Sequence, residues 1–297
     1  MKYKRIKKSC FPYLLILPTV LLIVLFLFIP ITQVFKLSLQ DYSTNSLTGT
    51  GTFIGIANFQ KLLIKDQVFQ KAFGVSLKWV VSEIVGQVVF GMVIALLLNQ
   101  KVKCRGFFRS VAFMPWAVSG VLATMLWTVM YNQHVGVIND VLKKMHLINE
   151  NIAWLSNPRL AFWAVAIAEL WRGIPFFAIT ILAGLQSIPT DIYESCIIDG
   201  CGPLQKFRFI TLPLLRETLT FSILLRCIWE FNSIDLIFTM TNGGPLRLTT
   251  TMPVYLMQQA VVGGKYGYGS AMAVIMAIGL LLYSVVYLKV TKYGKEG

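Results

Sequence analysis

Apolar residues gather in six runs, at about 13–34, 74–98, 111–131, 160–183, 217–240 and 269–288, and most charged residues fall between them. Runs of about 20 residues match the helix length that crosses the hydrocarbon of a bilayer. A membrane β-barrel would instead show ten-residue segments of alternating polarity. Backbone groups in hydrocarbon must pair within their own segment, so the runs predict six transmembrane helices in an all-α polytopic membrane protein. The first run follows a short basic head, residues 1–12. It is long and lacks an A-x-A-type cleavage site, which predicts an uncleaved signal-anchor helix. Residues 13–297 read as a single transmembrane domain.

Composition strengthens that reading. The 297 residues are 56% hydrophobic and 13% charged, against roughly a quarter charged in soluble domains. The net charge of +14 is carried mainly at the ends of apolar runs. That placement suits topology and lipid headgroups, whereas nucleic-acid binding needs a soluble basic face. Segments 1–12, 99–110, 184–216 and 289–297 carry 15 Lys and Arg, and the longer opposite loops carry 9. By the positive-inside rule both termini are expected in the cytoplasm, in a multi-pass protein of the cell (inner) membrane. Trp116, Trp127 and Trp154 lie near predicted span ends, as interfacial tryptophans do. Cys10, Cys104, Cys196 and Cys201 fall on the cytoplasmic side and Cys227 in a span, so no external disulfide is expected. Cys196 and Cys201 do not make a CxxC pair, and with two histidines in the chain a metal site is not expected.

The cytoplasmic segment between the fourth and fifth runs has its own organisation. Pro189, Thr190 and Asp191 are helix-start residues. Gly200 suits a left-handed helix end, and Pro203 suits the first position of a second helix. Leu204, Phe207, Ile210 and Leu214 recur at helical spacing, and Pro213 ends or kinks that helix. The segment reads either as an interfacial connector or as a helix–turn–helix whose second apolar face fits a groove on a soluble partner.

Glu194-Ser195-Cys196, Gly200, Ile210 and Leu212-Pro213 resemble, at matching spacings, the EAA loop of binding-protein-dependent ABC importer permeases. Ser195-Cys196 stands where Ala-Ala is usual, and both residues are small. Asp199 also matches. "LAGLQSIPTDIYES", "MPWAVSGVLATMLWTVMYNQHVGVIN", "TMTNGGPLRLTT" and "YGYGSAMAVIMAIGLLL" extend the resemblance along most of the chain. The glycine-proline stretch with its threonines resembles the maltose/glycerol-3-phosphate-type subfamily, and within it the first of two unlike permeases. The resemblance implies a type I importer permease in which the 189–213 segment is a coupling helix docking on an ATPase subunit. Glu194, Ser195, Cys196, Asp199, Gly200, Phe207, Ile210 and Pro213 would carry that contact. It further implies a second homologous permease, an ABC ATPase dimer holding ATP and Mg, and an extracytoplasmic solute-binding protein. The segment 35–73 reads as a connector only.

The chain has no Walker A sequence, and Gly263-Gly264-Lys265 is too short a match. No nucleophile–base set lies in the spans, so the chain is not expected to be an enzyme or to bind a cofactor itself. Charges within spans are costly and face a partner or a cavity. Glu169 and Arg172 are three apart, and Arg226 and Glu230 four apart, so each pair shares a helix face. Lys78 and Glu83 lie in the second run. The pairs read either as self-neutralised structural charges and partner contacts or as part of a polar substrate path. For a sugar path, Trp229, Asn232, Asp235 and Phe238 supply ring-stacking and hydroxyl-binding groups as one stripe on the fifth run, with Trp171 and Arg172 from the fourth. A sugar or oligosaccharide is the expected cargo. Glycerol phosphate in the same machinery, a self-sufficient secondary transporter and a non-transporting scaffold are the alternatives. Inverted repeats, which a secondary transporter favours, are not evident.

Overall fold

The computed structural model describes residues 2–44, 51–100 and 103–291, without the side chains of residues 2–11. Lys101, Lys292 and Lys295, counted above for orientation, lie outside the described residues, as do the side chains of Lys2, Lys4, Arg5, Lys7, Lys8 and Cys10. The chain forms two compact units. One comprises Met1–Phe69 with Leu256–Gly279, and the other Gln70–Tyr255 with Leu280–Gly297.

Four helices are long and apolar enough to cross a membrane: Pro12–Ser38, Gln67–Asn99, Ala161–Ser187 and Tyr266–Val290. At 1.5 Å per residue, even the 25-residue helix exceeds the roughly 30 Å hydrocarbon core. The most apolar window of Pro12–Ser38 has none of its residues buried within the chain, as a lipid-facing helix would.

The third predicted span is not one straight helix. Arg105–Ala117 and Gly120–Met130 meet at 94° and pass as a fifth span only when taken together. Pro115 lacks the amide that would continue the helix. Val118 is extended, and Ser119 Oγ caps the next helix by accepting from the Leu122 amide at 3.4 Å. The fifth predicted span is also broken, into Arg216–Phe231 and Asp235–Thr241. Asn232 Nδ2 donates to the Ile228 carbonyl at 2.8 Å, which draws that carbonyl into a local bond at the helix end. Asp235 then opens the second helix, where a carboxylate is favoured by the helix dipole.

Within the first unit, residues 35–69 of the 35–73 connector carry structure of their own. Gln40–Asp41 pairs antiparallel with Thr52–Phe53. Asn58 Nδ2 donates to the carbonyls of Ser38 and Gln40, both at 3.0 Å. Tyr268 donates to Asp66 Oδ2, and the Gly267 amide to the Tyr42 carbonyl at 3.0 Å.

The second unit holds two apolar clusters. Trp79, Phe162, Val165, Leu236 and Val254 centre one, and Phe177, Ile181, Leu185 and Leu215 the other. Helices Gln67–Asn99 and Ala161–Ser187 approach closely at Gly91. A Cβ there would lie 2.6 Å from Phe177 Cβ and 3.0 Å from the Ala178 amide nitrogen. Small residues allow such contacts where water does not drive helices together. The "TMTNGGPLRLTT" stretch folds back on itself: Thr249 donates to the Gly244 carbonyl and Thr250 to the Gly243 carbonyl, at 2.8 and 2.9 Å.

Candidate functional site

Three helices of the second unit bring their charged residues to one place. Glu169 and Arg172, on Ala161–Ser187, pair at 2.9 Å, and Arg226 and Glu230, on Arg216–Phe231, pair at 2.7 Å. Arg226 also reaches Glu169 at 3.2 Å, joining the two pairs. Gln87, on Gln67–Asn99, completes the junction. Its Oε1 accepts from Arg226 Nε at 2.7 Å, and its Nε2 donates to Glu230 Oε1 at 2.9 Å and Glu83 Oε2 at 3.0 Å. Trp79 Nε1 donates to Glu230 Oε2 at 3.2 Å. All these groups but Arg172 are buried, and the Arg172 side chain keeps 23% of its surface exposed. Buried charge persists only when paired and hydrogen-bonded, and both guanidiniums here meet carboxylates.

Gly173 makes this junction possible. A Cβ on it would fall 2.3 Å from Gln87 Nε2 and 2.5 Å from Arg226 Nη2. Gly173→Ala should displace the amide and the guanidinium together and lower stability by about 1–3 kcal/mol, the usual cost of overpacking. A thermal melt of the purified protein in detergent checks this; an unchanged melting temperature would show that the junction yields freely.

A cleft of about 200 Å³ opens beside the network, lined by Glu169, Arg172, Arg226, Trp229, Glu230, Asn232, Ser233, Ile234 and Asp235. Trp229, Asn232 and Asp235 therefore share a site, though not as the single-helix stripe expected from sequence, because the helix break separates Asn232 from Asp235. The break instead offers the cleft short polar groups and backbone. Trp229 stacks edge-on against Phe176 at 5.4 Å and remains 48% exposed. The other two expected path residues lie elsewhere. Phe238 packs on the Trp79 cluster, and Trp171 meets Trp127 edge-on at 6.0 Å. Lys78 lies over the Phe162 and Trp163 rings, at 4.0 and 5.0 Å. Sequence reasoning missed Gln87, Trp79 and Gly173. A lone Gln four residues after Glu83, in an otherwise apolar run, was the available signal. Among the described residues no group of three or more His, Cys, Asp or Glu is placed to hold a metal ion.

The 189–213 segment forms a second, separate surface. Pro189 precedes helix Thr190–Ile198, and Gly200 follows it at φ +77°. The Gly200 amide donates to the Ile197 carbonyl at 3.0 Å and the Cys201 amide to the Cys196 carbonyl at 2.9 Å. This is the paired-bond helix ending known as a Schellman motif. Pro203 opens the next helix, and the Gly202 amide is capped by Gln205 Oε1 at 2.8 Å. From Phe207 to Thr211 the backbone widens into a π-turn, and Pro213 lies within the short helix Leu212–Leu214. Tyr193 and Thr211 hydroxyls, 3.1 Å apart, tie the two arms. Glu194, Ser195, Asp199, Gly200 and Pro213 are exposed, Phe207 and Ile210 are half-buried, and Cys196 is buried. Leu204 and Ile198 are 77% and 85% exposed, so apolar side chains stand out beside Glu194, Asp199 and Gly200.

Residues 87–292 match the family model described as "Binding-protein-dependent transport system inner membrane component". The trehalose/maltose transport system permease protein MalF of Thermococcus litoralis is 32% identical over 296 residues, covering 100% of this chain and 97% of its own. The multiple sugar-binding transport system permease protein MsmF of Streptococcus mutans is 32% identical, covering 94% and 93%. In fold the chain is similar to a chain of a bacterial ABC transporter involved in import of the acidic polysaccharide alginate, with a TM-score of 0.82 at 21% identity over 98% of both chains. The chain belongs to the family of inner-membrane components of binding-protein-dependent transport systems.

Proposed function

We propose that the chain is the transmembrane permease subunit of an ATP-driven ABC importer that carries a neutral sugar or oligosaccharide into the cytoplasm. Both termini and the 189–213 segment lie on the cytoplasmic side in this reading. A second homologous permease completes the pathway. An ABC ATPase dimer, holding ATP and Mg, docks on the 189–213 segment through Glu194, Ser195, Cys196, Asp199, Gly200, Phe207, Ile210 and Pro213. An extracytoplasmic binding protein delivers the cargo. Closure of the ATPases shifts the permease between two rigid-body states.

The cleft is the observation that carries the cargo reading. It joins an exposed indole, an amide and a carboxylate to two guanidiniums that already have carboxylate partners. A sugar ring stacks its C–H face on an indole and shares hydroxyls with amide and carboxylate groups. A phosphate would favour cations without such partners. Similarity to sugar permeases along nearly the whole chain supports the same reading.

Reconstitution with the partner permease, the ATPase and the binding protein in vesicles tests it, using labelled maltose, trehalose and glycerol 3-phosphate. ATP-dependent accumulation of a sugar is expected. Trp229→Ala should lower that uptake about tenfold, equivalent to about 1.4 kcal/mol, without changing ATPase binding. Uptake of glycerol 3-phosphate alone would overturn the cargo assignment, and uptake without ATP would overturn the importer.

A further inference from the structure

The Schellman ending of helix Thr190–Ile198 puts two cysteines at special positions. In this motif the third residue from the helix end and the second residue beyond the cap commonly touch through their side chains. Here those residues are Cys196 and Cys201, joined by the 2.9 Å amide-to-carbonyl bond. Standard bond lengths along that path hold their Cα atoms within about 7 Å, close to the upper limit of the range that disulfides span. Both are free cysteines. Cys196 is 5% exposed and Cys201 is half-buried, so an oxidant meets Cys201 first. Cys104 is exposed.

We infer that Cys196 and Cys201 form a reversible dithiol–disulfide site that slows transport when oxidised. With a peroxide as oxidant, the Cys201 thiolate attacks a peroxide oxygen and becomes a sulfenic acid, releasing water after proton uptake. The Cys196 thiol then attacks the Cys201 sulfur, the S–O bond breaks and a second water leaves. In sum two thiols and one hydrogen peroxide give one disulfide and two waters. Burial, and then the hydrogen bond with Cys201, push the Cys196 thiol up to about 11, which keeps it protonated while the more exposed Cys201 meets the peroxide. Closing the bond sets the two sulfurs about 2 Å apart. The bond closes a ring over residues 197–200, which include Gly200, and stiffens that turn. The effect on transport rests on the proposed coupling role of this segment; the disulfide chemistry does not.

The test uses the full complex in vesicles, treated with hydrogen peroxide and then dithiothreitol. Peptide mass mapping should find a loss of two hydrogens in the peptide holding both cysteines, and sugar uptake should fall at least fivefold and recover on reduction. Cys201→Ser should keep basal uptake, yield no intramolecular disulfide and escape the slowing. Cys104→Ser should behave as the wild type. Intact thiols at 196 and 201 while Cys104 oxidises would overturn the site. A disulfide formed with undiminished uptake would overturn the regulation and leave the site standing. Uptake lost equally in Cys201→Ser under peroxide would place the sensitive group elsewhere and also overturn the regulation.

Discussion

Replacing Arg226 by methionine is expected to lower stability by about 3–5 kcal/mol, the usual cost of removing one partner from a buried charge cluster. Arg226 bonds Gln87, Glu169 and Glu230 at 2.7, 3.2 and 2.7 Å. Without it, Glu169 keeps Arg172, Glu230 keeps only neutral donors from Gln87 and Trp79, and the Gln87 oxygen loses its donor. The effect should show as a large drop in melting temperature of the purified protein in detergent. The double variant Arg226→Met/Glu230→Gln should regain most of the loss, because the charge and its counter-charge leave together while the amide still accepts from Trp79. A loss under about 1 kcal/mol, unchanged in the double variant, would mean that water reaches the junction and screens it.

The second large effect is expected at Gly200. Its φ of +77° lies in the region that costs other residues about 1–2 kcal/mol, yet no atom lies within 4 Å of where a Cβ would stand. The substitution cost is therefore conformational locally, and a large side chain projects outward. Gly200→Trp should reduce ATP-driven uptake at least tenfold while the chain still expresses and folds. Gly200→Asn, which tolerates the left-handed region, should retain most uptake. Measuring uptake beside ATP hydrolysis in the same vesicles separates a broken link from a lost subunit. Normal uptake by Gly200→Trp would refute the coupling role of the turn.

Much of this was legible in the chain. Apolar run length marked the four helices that are long and apolar enough to cross a membrane, since the bilayer sets that length directly. The 189–213 turn was readable because Pro189, Gly200 and Pro203 each have a local backbone reason for their place. The two helix breaks were harder. Pro115 with Ser119-Gly120, and Asn232-Ser233 before Asp235, are local stop and start signals. Both lie within apolar runs, however, and hydropathy records composition rather than backbone direction. The joining of the two charge pairs had no local trace at all. Glu169 and Arg226 are 57 residues apart, and tertiary packing, with room left by Gly173, brings them together. Phe238 and Trp171 illustrate the converse. Their chemistry suited a sugar path, but an aromatic ring serves equally well as packing, and here Phe238 packs on the Trp79 cluster and Trp171 against Trp127.

The Gln87–Glu169–Arg226 junction has a mechanical meaning. Sliding any of its three helices by one turn, 5.4 Å, would break several buried bonds together, and at Gly91 two of them already approach closely along the Phe177–Ala178 segment. In the proposed transport cycle these helices would act as a stiff lever, passing displacement from one end to the other. Bending is left to places where the backbone is already irregular: the elbow at Val118–Ser119, the joint at Leu215 between Leu212–Leu214 and Arg216–Phe231, and the gap at Asn232–Ile234. The last of these borders the cleft, so a push arriving along the lever would reshape the wall of the proposed cargo site.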